Sequence, residues 1–241
     1  MNLLLTVDVE PDYTTGTSDP YYHLRNDFKR FLDLLKRNDV AATLFVCGVV
    51  ARDFQDMLLD FVDYFDIGVH THPDFHPEYR DGIKKLNLYS VEEQFQMIKR
   101  DYDMIHQNLG VKPNVFRAGK LAADRNTLQL LKKLDIDMDS SLLIPYIFRL
   151  RAIKHKPWRV HLQDGVTRIP ILAADSRVLE ASFKLKNVFI KLLDNGAPVC
   201  IMFHSWWLKG YNLAKVERLF SKNRYCNLND FLKGFEFRCD I

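Results

Sequence analysis

A chain of 241 residues with 47% hydrophobic and 27% charged residues can bury one large core, in the size range of single-domain α/β barrels. Its formal net charge of +3 is too small to make nucleic acid the expected partner. Cys47, Cys200, Cys226 and Cys239 show no C-x-x-C spacing and two of them lie in apolar runs, so buried free thiols and a reducing compartment are expected, not a disulfide framework.

The opening residues Met1 to Asp8 carry no basic region and meet a carboxylate by residue 8, which reads as neither a signal peptide nor a transmembrane segment; a cytoplasmic protein is expected. Leu3 to Val9 predicts a central strand, stopped by Glu10-Pro11-Asp12. Asn26 opens a helix whose Phe28, Phe31, Leu32 and Leu35 share one face. Ala42 to Cys47 predicts a second strand, Arg52 to Tyr64 a helix, and Ile67 to Val69 a third strand. Strands alternating with helices in this way indicate parallel βα units.

Ser90-Val91-Glu92-Glu93 is a capping box at the start of the longest helix, which runs to about Asn108 and stops at Gly110. Beyond it the pattern predicts a strand over Asn114 to Phe116, a helix near Asn126 to Leu134 and a short strand around Asp137 to Asp139. Between Ser141 and Asp175 the pattern is least regular, with strands near Arg159 to Leu162 and Thr167 to Leu172. Val178 to Leu193 predicts a helix closed by Asn195-Gly196, and Pro198 to Phe203 the last strand. No internal repeat or linker interrupts the chain, so residues 1–241 are expected to form one domain. Arg149 to His161, basic around Trp158, reads as a solvated loop, with phosphate or an anionic membrane face as the alternative contact.

Three of the eight histidines, His70, His72 and His76, fall within seven residues just after the third apolar run. Neutral imidazole is the commonest zinc ligand, and either His70 with His72 or His72 with His76 can chelate. Other reactive residues also close strands: Asp8 and Glu10 the first, Arg117 the fourth, Asp139 with Ser140 and Ser141 the fifth, His204 the last. In a barrel of parallel strands those ends share one rim, where such folds carry their active sites.

Thr6-Val7-Asp8-Val9-Glu10, Ala42 to Gly48, Gly68-Val69-His70-Thr71, Phe116-Arg117-Ala118-Gly119, Asp139-Ser140-Ser141 and Ile201-Met202-Phe203-His204 together resemble the successive motifs of the polysaccharide deacetylases of the NodB-homology, carbohydrate esterase 4 type. The resemblance spans about residues 3 to 208. It implies an irregular, incomplete (β/α) barrel and a metal-dependent hydrolase that removes an N-acyl group, usually N-acetyl, from a sugar. It further implies Asp8 as general base, Arg117 holding it, His204 as general acid, Asp139 orienting His204, and His70 as a metal ligand.

Two positions depart from that pattern. The usual second aspartate is Val9, which leaves Glu10 as its replacement; on a strand Asp8 and Glu10 share a face and Val9 points away. The usual second histidine is Asp74, which leaves His72, Asp74 and His76 as candidates, and His76 is favoured because Pro77 follows it. The expected ion is divalent, zinc first, with nickel, cobalt or iron as alternatives. A nucleotide- or lipid-linked sugar in the assembly of a surface polysaccharide is the expected substrate. The competing expectations are a metal-dependent amidohydrolase or phosphatase of another class and a non-catalytic carbohydrate-binding relative that has lost its metal.

Overall fold

In the computed structural model, seven consecutive buried residues, Leu3–Val9, form strand β1 near the middle of a ten-stranded sheet. The structure describes residues 3–12, 18–79, 82, 85–143, 160–175, 199–208, 210–220 and 225–233. The other strands are β2 (Thr43–Val46), β3 (Asp66–Thr71), β4 (Val115–Ala118), β5 (Met138–Asp139), β6 (His161–Gln163), β7 (Val166–Arg168), β8 (Ile171–Ala174), β9 (Val199–His204) and β10 (Tyr225–Cys226). Their order is β6-β7-β5-β4-β3-β2-β1-β9-β8, with β10 beside the start of β1, and only the β6–β7 pair is antiparallel.

The sheet curls into the expected incomplete barrel. Residues 166–174 bring its two margins together: Thr167 and Arg168 pair with β5, while β8 pairs with β9. Between those pairings the Ile171 N–H donates to Leu142 O at 2.7 Å.

Every β1 residue is buried because both faces are covered, and alternation along the strand separates two cores. Leu4 belongs to the concave core with Phe45, Val115, Met138, Ile171 and Cys200. Val7 and Val9 belong to the helix-side core with Leu44, Val69, Phe31 and Ile98. Thr6, Asp8 and Glu10, in phase with Leu4, therefore line the inside of the barrel.

The helices are α1 (Lys29–Arg37), preceded by a π-helical turn at Leu24–Phe28, then α2 (Gly48–Asp53), α3 (Gln55–Leu59), α4 (Val91–Leu109), α5 (Arg125–Lys132), α6 (Gly210–Phe220) and α7 (Leu228–Lys233). In α1 the apolar spacing buries Phe31, Leu32, Leu34 and Leu35, each side chain contributing about 1.5–3 kcal/mol. The Ser90–Glu93 capping box starts α4, and Gly110 ends it in the left-handed conformation at φ 70°. Met97, Ile98, Asp101 and Ile105 form its buried stripe. Asp101 sits in that stripe without being an isolated buried charge: it accepts from Gly48 N–H at 3.0 Å and contacts His76 Nε2 at 3.1 Å.

Several sequence expectations change here. The single helix over 52–64 is instead α2, α3 and a run of turns, because Phe54 leaves helical geometry (φ −124°, ψ 28°) and its ring packs on Tyr21 at 5.4 Å. The strand over 167–172 is split at Ile169-Pro170, since proline has no N–H for a ladder. Asp164-Gly165, both at positive φ, turn β6 into β7 as a tight hairpin. The helix expected over 178–193 and most of the basic run 149–161 lie outside the described residues. The sequence reading assigned nothing beyond residue 208, where α6, β10 and α7 lie; Leu228 joins the concave core, and its N–H donates to Thr43 Oγ1 at 3.0 Å. No described helix is long and apolar enough to cross a membrane.

Candidate active site

Arg117, on β4, is fully buried inside the barrel. Its Nη1 donates to Asp8 Oδ1 at 2.6 Å, Nη2 to Thr6 Oγ1 and Ser140 Oγ at 2.9 Å, and Nε to Ser140 O at 2.9 Å. Its guanidinium carbon lies 4.1 Å from the Phe45 ring centre. A buried cation held on this many sides is a fixed part of the frame. Asp8 thereby has one oxygen tied to Arg117, and its Oδ2 lies 3.9 Å from His70 Nε2 and 4.0 Å from His204 Nε2.

Among the described residues, Glu10, His70 and His72 form the one group of three metal-ligating side chains whose ligand atoms all lie within 4.8 Å of one another. Glu10 Oε2 is 3.2 Å from His70 Nε2 and 3.5 Å from His72 Nε2. Each histidine directs Nε2 inward because Nδ1 is already engaged. His70 Nδ1 donates to Arg117 O at 2.8 Å, and His72 Nδ1 donates to the Asp74 carboxylate at 3.0 Å. That is the outer-shell arrangement of histidines that bind an ion, and two imidazoles with one carboxylate suit a divalent metal of the zinc type with a coordination position left open. Glu10 thus faces the two histidines from inside the barrel, whereas the Val9 side chain is in the helix-side core.

Charge reinforces this geometry. Burial pushes the Glu10 carboxyl up, but the hydrogen bond and charge of His70, with the charges of His72 and His204, bring it down to about 2. Burial lowers His70, but Asp8 and Glu10 outweigh it and raise the imidazole above its usual value.

His76, the favoured second ligand from sequence, is not in this group. It turns toward Asp101 behind the loop, whereas His72, two residues after His70 on the same strand face, reaches Glu10. Asp74, at the usual position of the second histidine, holds His72 instead. Gly119 makes room for that ring: a Cβ there would lie 2.2 Å from His72 Cδ2.

His204 ends β9, opposite Asp8 in the β1–β9 register. Asp139 does not orient it. The Asp139 carboxylate meets Arg168 Nε at 2.8 Å and accepts from Ser141 Oγ at 2.5 Å, and burial pushes its carboxyl up against the opposing charge of Arg168. His204 is held by Asp175, which closes β8: Nδ1 donates to Asp175 Oδ2 at 2.6 Å, and the backbone N–H donates to Oδ1 at 2.9 Å. Burial lowers His204, but the Asp175 hydrogen bond and charge, with the charges of Asp8 and Glu10, raise it to about 9. The sequence reading missed Asp175. The signal was present, a carboxylate directly after an apolar strand run, the same rule that singled out Asp8 and Asp139.

The two tryptophans after His204 separate. Trp207 stacks on Phe203 and packs against the helix-side core, whereas Trp206 faces the site. Cys47 and Cys200 are buried free thiols, and burial, then the nearby carboxylates, hold the Cys47 thiol well above its usual value.

None of the curated proteins compared with the sequence matches it significantly. Solved structures do. A Mycobacterium smegmatis protein assigned to the polysaccharide deacetylases superposes with a TM-score of 0.70 at 15% identity, over 97% of this chain and 89% of that one. A family 4 carbohydrate esterase from Streptomyces lividans, solved in complex with acetate, gives 0.55 at 15%, over 94% and 91%. A family 4 pseudoenzyme from Bacillus anthracis gives 0.55 at 13%, over 96% and 65%. At these identities the structural likeness establishes the fold. Membership rests on the sequence itself: the profile of the family described as polysaccharide deacetylase matches residues 2–138, more than half of the chain and the stretch bearing Asp8, Glu10, His70, His72 and Arg117, so this protein belongs to the polysaccharide deacetylase family.

Proposed function

We propose that the protein is a divalent-metal-dependent hydrolase that removes an N-acyl group, N-acetyl first, from a sugar or sugar conjugate. The observation that carries this reading is the convergence of Glu10, His70 and His72 within 4.8 Å, with Asp8 and His204 both against the group.

Glu10 Oε2 and the Nε2 atoms of His70 and His72 would hold the ion. When bound, such a cation polarises the amide carbonyl and acidifies a water. The rest of the chemistry belongs to the side chains. Asp8 presents one free carboxylate oxygen, kept in place through Arg117, to accept the proton of the attacking water. His204, its Nδ1 committed to Asp175, offers a proton from Nε2 to the departing nitrogen. In the metal-free protein its pKa is up at about 9, the direction an acid needs. Arg117 and Asp175 act through Asp8 and His204 as positioning residues.

A pseudoenzyme exists on this fold, and the non-catalytic reading applies to any relative lacking a ligand or proton-transfer group. This chain retains a candidate for each role, which favours catalysis. The direct test is release of acetate from N-acetylglucosamine oligomers and N-acetyl amino sugars by protein loaded in turn with zinc, cobalt, nickel and iron, with Asp8→Asn alongside. Metal-dependent release abolished by Asp8→Asn is expected. No release with any metal, from protein shown to bind it, would return the chain to the binding-module reading.

A further inference from the structure

Trp206 makes two contacts at once. Its indole Nε1–H donates to Glu10 Oε1 at 3.0 Å, and its ring lies over His204 with centroids 4.7 Å apart and planes 23° from parallel. The oxygen it takes is not the one facing the histidines, since Oε2 is the atom at 3.2 and 3.5 Å from His70 and His72. The neighbouring backbone is fixed as well. Ser205 Oγ accepts from Glu10 N–H at 3.2 Å and donates to Glu10 O at 3.1 Å.

A glutamate has one more rotatable bond than an aspartate, and rotation about its terminal bond exchanges the two oxygens. Replacing an aspartate ligand by Glu10 therefore adds freedom that something must remove. Tying Oε1 to the indole leaves Oε2 aimed at the two Nε2 atoms. We infer that Trp206 is the positioning residue that fixes Glu10 as a metal ligand, and that the same ring sets the plane of His204, so that one side chain ties the metal-binding group to the proton donor. The inference rests on the reading that Glu10, His70 and His72 hold a divalent cation. It goes beyond that reading by assigning the tryptophan to the protein's own machinery, with an indole edge spent on Glu10 and one ring face on His204.

Two measurements test it. The first is zinc affinity by competition with a chromophoric chelator for wild type, Trp206→Phe, Trp206→Ala and His70→Ala. Trp206→Phe keeps an aromatic ring and removes only the N–H. Loss of an outer-shell partner typically weakens metal binding about 10–100-fold, so that drop is expected for Trp206→Phe while its metal-free melting temperature stays at the wild-type value, with at least as large a drop for Trp206→Ala. Wild-type zinc affinity in Trp206→Phe would overturn the inference.

The second measurement needs no metal. In metal-free protein the Trp206 indole ¹⁵N–¹H resonance, identified as the peak lost in Trp206→Phe, should shift on Glu10→Ala; an unmoved resonance would equally overturn the inference. If wild type and His70→Ala bind zinc equally weakly, the metal reading of the proposed function is what fails. The indole resonance then decides the clamp on its own.

Discussion

Asp175 accepts two hydrogen bonds from one residue, the backbone N–H and the Nδ1–H of His204, at 2.9 and 2.6 Å. The double contact fixes the position of His204 and the direction of its Nδ1, and it is the largest influence raising the imidazole against the opposing effect of burial. A histidine raised in the folded state binds its proton more tightly there than in the unfolded chain. Its stabilising contribution is therefore complete below about 6.5 and is lost as pH rises through about 9. Asp175→Asn should accordingly narrow its stability deficit relative to wild type between those two values. Histidine NMR titration of metal-free protein should show His204 moving down from about 9 in the variant, and a His204 titration unchanged by Asp175→Asn would remove the pairing.

Asp139→Asn should behave differently. Asp139 is fully buried and its partner Arg168 nearly so, and removing one member of a buried pair leaves an uncompensated charge. A loss of about 3 kcal/mol in unfolding free energy is expected. The His204 titration should stay where it is, because Asp175 and not Asp139 touches that ring. Chemical denaturation and the same NMR titration check both halves.

The two histidines that compete for the second ligand position are separable by substitution. His72→Ala removes an Nε2 that lies 3.5 Å from Glu10 and should abolish tight zinc binding. His76→Ala removes a buried contact to Asp101 and should lower the melting temperature while leaving zinc affinity within about threefold of wild type, since no ligand is lost. Gly119→Ala should resemble His72→Ala more than a surface change. The added methyl occupies the space of the His72 ring, so at least a tenfold weaker zinc complex is expected. Calorimetry with zinc on the three variants distinguishes these outcomes.

The parts of this site that were legible in the sequence are those set by strand alternation and strand ends. Asp8 with Glu10 on one face, and Arg117 and His204 on the rim, follow from the period of two and from parallel order, whereas the pairing of Arg117 with Asp8 across the barrel came from the family resemblance. What was not legible depended on side-chain reach across the barrel. His72 and His76 are both near His70 in sequence, and only the 3₁₀ turn at Pro73–Phe75, which carries His76 behind the loop to Asp101, decides between them. Asp139 and Asp175 both close strands, and the choice between them as partner of His204 turns on which strand lies beside β9; that neighbour is β8, since β5 lies between β4 and β7. Helix α6 and the Leu228 contact with the concave core were missed because their short apolar runs carry weak periodicity.

The division of labour between Asp8 and His204 can be tested through the leaving group. An amide nitrogen leaves poorly unless it is protonated, whereas an aryl oxygen leaves readily as the anion, so only the amide reaction depends strongly on a proton donor. Asp8 and His204 each lie about 4 Å from the other, with Nε2 of His204 and Oδ2 of Asp8 as the facing atoms. Both atoms also border the Glu10–His70 group, so the proposed base and the proposed acid face the same space. Loss of one positioned proton-transfer group costs about 10²–10⁴-fold in rate. Asp8→Asn should impose that loss on an N-acetyl sugar and on an aryl acetate alike, because both reactions need the water activated. His204→Ala should impose it on the amide and spare most of the ester activity, so the amide-to-ester ratio should fall by at least tenfold. Measuring kcat/KM for both variants on both substrates, with metal content matched by elemental analysis, checks the split. Equal losses for His204→Ala on the two substrates would assign His204 to the water and not to the leaving group.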